Sequence, residues 1–189
     1  GNPIRPDVVS AQRAESRRKL GISPEVFMVV ITGGSRGART INRAMISVHE
    51  HFKRDKGICL YHITGNLEYD KIVRELGLTD GKSFGKGSRI IKYEYDMPAV
   101  LAAADLIICR AGAVSLAELA ARELPSILIP YPYASGDHQT FNARVFVKAE
   151  AAKMIADKYV TEKELIQDIN DFRHQPETCL LYTSPSPRD

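Results

Sequence analysis

Val26-Phe27-Met28-Val29-Val30-Ile31-Thr32-Gly33-Gly34-Ser35-Arg36-Gly37-Ala38 joins a continuously apolar run to a turn of small residues. A strand with no alternation of apolar and polar residues has both faces covered, so helices are expected on each side of a sheet. Five further short runs repeat the theme: Ile58–Ile63, Arg89–Lys92, Leu106–Cys109, Ser126–Pro130 and Ala152–Ile155. Helical patterns lie between and around them, at Ser10–Leu20, Ala38–Phe52, Leu67–Leu76, Asp96–Ala103, Val114–Arg122, His138–Glu150 and Thr161–Phe172. Strands alternating with helices predict an α/β, Rossmann-like, doubly wound parallel sheet of about six strands. Gly21 and Gly77 stand where helices should stop, and Thr161 with Glu164 has capping-box spacing.

The chain has 189 residues, 44% of them hydrophobic, which is enough for one such domain and too few for two. Its +3 charge comes from 26 basic and 23 acidic residues that are interspersed, so no nucleic-acid partner is indicated. The densest basic run, Arg17-Arg18-Lys19, reads as a solvated helix face. Cys59, Cys109 and Cys179 are far apart and two lie in apolar runs, as expected of small core residues in a reducing, cytoplasmic compartment. Neither a membrane span nor a signal peptide is legible.

Gly1-Asn2-Pro3-Ile4-Arg5-Pro6 opens without a methionine and resembles an interdomain linker, so the chain reads as a fragment. Residues 1–172 are expected to form the folded domain and 173–189 a disordered or non-native tail, because Thr183-Ser184-Pro185-Ser186-Pro187 has neither apolar period nor helix formers.

In an open sheet wound in the commonest order, ligands bind where the winding reverses, between the ends of the first and fourth strands. The loops leaving those strands, Thr32–Arg39 and Arg110–Ser115, are built from Gly, Ala and Ser with arginines, and each runs into a helix. Small residues admit close backbone approach, and helix N-termini favour anions. Two of them at one crevice suit a diphosphate, with Ser35 and Ser115 as added hydroxyl donors. Glu118 follows Ser115 by three residues and has two readings: acceptor for a ribose diol, or favourable partner of the helix dipole. The loop after the fifth strand ends in Asp137-His138-Gln139. His138 and Gln139 suit sugar hydroxyls and Asp137 suits a helix N-cap, although the trio read together can also be capping alone.

Two other classes remain open on these residues. Thr32–Gly37 also resembles the cofactor loop of short-chain dehydrogenases, and Tyr159 with Lys163 imitates their catalytic pair, which would make the chain an oxidoreductase. Against it, Arg39 stands where a third glycine should let helix and strand approach, and Tyr159/Lys163 falls outside the expected ligand edge. The third class is a nucleotide-sugar-binding subunit that depends on a separate partner chain.

Five motifs in order are similar to the C-terminal domain of the MurG family of peptidoglycan N-acetylglucosaminyltransferases. They are Gly1-Asn2-Pro3-Ile4-Arg5, Gly33-Gly34-Ser35-Arg36-Gly37-Ala38, Tyr95-Asp96-Met97, Cys109-Arg110-Ala111-Gly112-Ala113, and Asp137-His138-Gln139 with Asn142-Ala143. The resemblance implies one half of a two-domain GT-B glycosyltransferase, with an N-terminal acceptor domain absent from this chain. It implies a UDP-N-acetylglucosamine (UDP-GlcNAc) donor, inverting transfer to lipid I to give lipid II, and peripheral contact with the cytoplasmic face of the bacterial plasma membrane. By the same resemblance Arg5, Gly34 and Ser35 contact the diphosphate, with Ala113, Val114 and Ser115 along it. Glu94 reads uracil through its backbone although its side chain departs from the family's usual apolar residue, Glu118 holds the ribose, and His138 and Gln139 hold the sugar. No catalytic residue is expected in this chain, no cofactor, and no metal, since no Asp/His cluster has ligand spacing. Transferases that move galactose or glucose onto lipids share the architecture and remain the nearest alternative.

Overall fold

The computed structural model describes residues 3–34, 38–78, 83–84 and 87–174. Six parallel strands form its sheet: β1 (Phe27–Thr32), β2 (Ile58–Ile63), β4 (Ser88–Ile91), β5 (Leu106–Cys109), β6 (Ser126–Leu128) and β7 (Ala152–Met154). A two-residue strand, β3 (Ser83–Phe84), adds to β4 antiparallel, giving the order β3-β4-β2-β1-β5-β6-β7. The six parallel strands therefore wind as expected, and only β3 was not foreseen.

Successive residues of the strands serve opposite cores, which is why the runs are continuously apolar. Met28 and Val30 face one cluster with Val100, Leu101, Leu116 and Leu119, whereas Val29 and Ile31 face the other with Ile41, Met45, Leu165 and Ile169. The first side carries α1 (Pro6–Ser10), α2 (Arg13–Leu20), α5 (Met97–Ala103), α6 (Ala113–Ala121) and α7 (His138–Lys148). The second carries α3 (Arg39–Phe52) and α8 (Glu162–His174), with α4 (Tyr69–Glu75) beside it over Ile90. Gly21 ends α2 in the left-handed conformation, and Thr161 Oγ1 accepts the Glu164 N–H at 3.2 Å at the start of α8.

The N-terminal stretch is more structured than a linker. Pro6 sits in the first turn of α1 and Val8 is fully buried. Arg18 and Lys19 are exposed, as expected of a solvated basic face, but Arg17 is not. It is buried, donates to the carbonyls of Ser23, Val26 and Ala103, and pairs with Asp105 at 2.7 Å. A buried guanidinium needs this many acceptors, and they come both from the turn that follows α2 and from the distant Ala103 and Asp105. At the other end, α8 continues to His174, two residues past the expected boundary, because Arg173 grips Asp55 through two nitrogens at 2.6 and 3.0 Å. The proline-rich stretch lies outside the described residues.

Candidate functional site

The winding reverses between β1 and β5, which pair in parallel from Val29 with Leu106 to Thr32 with Cys109. A cavity of about 590 Å³ opens beyond their carboxyl ends. Thr32 and Gly34 line it from the end of β1 and the loop after it, Ser115 and Glu118 from α6, Tyr93 and Glu94 from the loop between β4 and α5, and Met97 from the start of α5. A second cavity of about 660 Å³ shares Gly34 and Arg110 and extends past Ala38 to Tyr131, Tyr133 and Asp157. The predicted crevice is therefore present and carries both predicted loops.

The first loop is dictated by sterics. A Cβ added to Gly33 would stand 1.9 Å from the Cβ of Ala38, so the start of α3 closes on β1 only over a glycine. Gly34 follows with φ +70° and donates its N–H to Thr32 Oγ1 at 3.3 Å. Ser35 lies outside the described residues. No side chain caps α3 or α6 among the described residues, which leaves their leading N–H groups for a ligand.

In the second loop Arg110 lines both cavities and is also engaged within the protein. Its side chain is buried, reaching the Ile129 carbonyl at 3.2 Å and Asp157 at 2.5 Å, so it ties the loop to β6 and to the turn after β7. Ala113, Val114 and Ser115 form the exposed first turn of α6. One turn on, Glu118 is only 9% exposed, too buried for a carboxylate that merely complements a dipole. Its Oε1 accepts from Arg5 Nε at 2.9 Å, and that hydrogen bond raises the Arg5 guanidinium above its ordinary value. The two residues expected to hold ribose and diphosphate thus meet each other.

Glu94 lines the cavity, but its carboxylate is engaged within the protein. Oε1 accepts the Asp96 N–H at 2.8 Å and Oε2 accepts the Tyr61 hydroxyl. Burial, and then this bond, push the Tyr61 phenol well above its usual range, so it stays a donor. At the far loop, Gln139 Oε1 accepts two backbone N–H groups, from Tyr131 at 2.9 Å and Ala111 at 3.1 Å. Those bonds stitch the ends of β5 and β6 together and leave the amide NH₂ as the group that Gln139 can offer a ligand. His138 is exposed at the start of α7. Asp137 occupies the N-cap position but takes the Thr140 hydroxyl at 2.6 Å instead of a backbone N–H, because its φ of +54° turns it from the usual cap geometry.

One buried network was missed. Asn42 of α3 donates to the Thr64 carbonyl at 2.9 Å and lies 2.7 Å from His62 Nε2, whose other nitrogen is 3.0 Å from His49. Thr64 begins the segment that lines both cavities. Burial lowers His49 to about 4 and His62 well below its ordinary 6.5, so both rings are neutral at pH 7. The available signal was a histidine inside the apolar run Ile58–Ile63, and Asn42 and His49 seven residues apart on one helix.

Cys59 and Cys109 are buried free thiols, held up at about 11 and about 12 by that burial. Tyr159 is exposed in the turn after β7, next to Asp157 at the carboxyl edge rather than away from it, with Lys158 over its ring.

The family described as glycosyltransferase family 28 C-terminal domain matches residues 28–186. Two curated relatives carry the same description, UDP-N-acetylglucosamine--N-acetylmuramyl-(pentapeptide) pyrophosphoryl-undecaprenol N-acetylglucosamine transferase. The protein of Desulforudis audaxviator (strain MP104C) is 41% identical over 93% of this chain and 48% of its own length. That of Acetivibrio thermocellus is 40% identical over 89% of this chain and 45% of its own length. The chain thus spans about half the length of the curated relatives it matches. The crystal structure of Acinetobacter baumannii MurG superposes with a TM-score of 0.73 at 23% identity, covering 96% of this chain and 51% of that one, which shows a shared fold.

Proposed function

Because the chain belongs to the family of glycosyltransferase family 28 C-terminal domains, we propose that it is the donor-binding half of an inverting transferase. The reaction is transfer of N-acetylglucosamine from UDP-GlcNAc to lipid I, giving lipid II. The observation that carries this reading is the single cavity that gathers Gly34, the first turn of α6 and a buried carboxylate at Glu118. The curated relatives are named for this transfer, which supports the choice of sugar and acceptor. No dehydrogenase reading accounts for the family match.

In this reading the diphosphate lies on the open N-terminus of α6 and against Gly34. Arg5 turns from Glu118 to the phosphates, and Glu118 accepts the ribose hydroxyls. Uracil meets the backbone of Glu94, and His138 with the Gln139 amide NH₂ meets the sugar hydroxyls. As the bond from sugar C1 to the β-phosphate oxygen breaks, negative charge grows on the departing diphosphate. Preorganised N–H groups and a guanidinium favour that charge without rearranging. The base that deprotonates the acceptor hydroxyl belongs to a separate N-terminal domain, and this chain alone has no turnover. Residues 1–172 serve as the donor domain, and the acceptor half meets the lipid at the cytoplasmic face of the membrane. None of the described helices is long and apolar enough to cross a bilayer.

Replacing Glu118 with Ala tests the assignment. Binding of UDP-GlcNAc should weaken by about 1–3 kcal/mol, the scale of hydrogen bonds to a charged group. Inorganic pyrophosphate should bind the variant at least as tightly as the parent, because Arg5 no longer has to leave Glu118. Equal loss for pyrophosphate would make Glu118 a structural residue and remove the ribose assignment.

A further inference from the structure

We propose that Glu94 and Tyr61 act as a positioning pair that sets nucleobase selectivity, by fixing the peptide of Glu94 against the base edge. The inference rests on the donor site described above. Between β4 and α5 the loop has an alternating construction: Tyr93 and Tyr95 point outward, 60% and 92% exposed, while the Glu94 side chain between them turns in. Its carboxylate is fastened twice. Tyr61 holds one oxygen from β2, where its ring is only 5% exposed, and the Asp96 N–H holds the other at 2.8 Å. Asp96 in turn caps α5 through the Ala99 N–H at 3.3 Å. Upstream, the Ile91 and Lys92 carbonyls take the N–H groups of Thr64 and Gly65 at 2.9 and 3.0 Å. The loop is therefore anchored on both sides of Glu94 and at Glu94 itself.

That anchoring leaves one polar unit unspent. The N–H and C=O of Glu94 make no hydrogen bond among the described residues, and the residue lines the cavity beside Ile63 and Met97. Apolar side chains next to a free amide edge suit a base, which has apolar faces and a polar edge. A peptide N–H and C=O held at fixed positions can donate to uracil O4 and accept from N3–H. Cytosine presents an amino group and an unprotonated nitrogen at those places, so both contacts become repulsive. Discrimination of this kind needs the peptide fixed in place, because a loop free to shift could find another pairing. Glu94 and Tyr61 touch no ligand in this scheme and act only through the peptide they hold.

The test measures binding of UDP, CDP and inorganic pyrophosphate to the unmodified chain and to Tyr61→Phe, Glu94→Ala and Glu94→Gln, with a thermal melt on each to confirm folding. The unmodified chain should favour UDP over CDP by tenfold or more. Tyr61→Phe and Glu94→Ala should lower UDP affinity about tenfold, as expected for loss of a hydrogen bond to a charged group, and bring the UDP:CDP ratio toward one. Pyrophosphate affinity should not move, and Glu94→Gln, which keeps an acceptor for Tyr61, should retain most of the ratio. An unchanged ratio in Tyr61→Phe and Glu94→Ala overturns the inference, as does equal loss for all three ligands. Failure of the unmodified chain to bind UDP overturns the donor-site reading, and this inference with it.

Discussion

The loop leaving β1 and the loop leaving β5 both pass through small residues from a strand into a helix, and both border the same cavity, yet they are held by different forces. The first is closed by shape, with Gly33 against Ala38 and the buried Asn42–His62–His49 network behind it holding the Thr64 carbonyl. The second is closed by charge: Gly112 has open space where a Cβ would go, and Arg110 ties its loop to Asp157. Two glycine-bearing turns that read alike in sequence therefore carry different constraints. In one the glycine is a steric requirement, and in the other it is an uncapped helix start.

Substitution at the two glycines should separate these constructions. Gly33→Ala is expected to have the largest effect, about 3 kcal/mol or more of lost stability together with loss of ligand binding, because the clash is with Ala38 backbone and Cβ, not with a mobile side-chain end. Denaturant midpoints would measure it, and a variant as stable as the parent would remove the steric account.

A second, intermediate effect concerns acid. Burial lowers both His49 and His62 below the ordinary value of 6.5, so as pH falls the unfolded chain takes up protons before the folded one. The stability contributed by keeping these rings neutral is complete above about pH 6.5 and is lost as pH falls from there toward 4, approaching about 1.4 kcal/mol per pH unit for each ring. Urea midpoints between pH 7.5 and 4.5 should show that decline, and His62→Gln should flatten it. A decline of the same slope in His62→Gln would assign it to other groups. The smallest effect is expected at Gly112→Ala: the site is open and φ is already −68°, so the change should stay below about 1 kcal/mol, a poorer N-cap being the only cost.

Most of the architecture was legible because parallel strands covered on both faces leave a strong imprint. Runs such as Val26–Ile31 and Ile58–Ile63 have no polar face, and the strand order followed from winding rules. What escaped was decided by distant partners or by very short elements. Ser83–Phe84 is too brief to show a period, and Pro6 reads equally as a linker or as the first turn of α1. Arg17 looked solvated because its ion-pair partner Asp105 and the Ala103 carbonyl lie more than eighty positions away, and because no pattern in the sequence shows that the turn at Ser23–Val26 folds back over it. At the site, the loops, the crevice and Glu118 could be placed from sequence. The Arg5–Glu118 pair, the double acceptance by Gln139 Oε1 and the internal engagement of Glu94 could not, since each depends on side-chain directions that only the assembled fold fixes.

The central claim is that the cavity between the two loops receives a uridine diphosphate sugar. Calorimetric titration of the unmodified chain with UDP and with ADP tests it most directly. Tighter binding of UDP, by tenfold or more, is the predicted result, while equal affinity for the two would contradict the account.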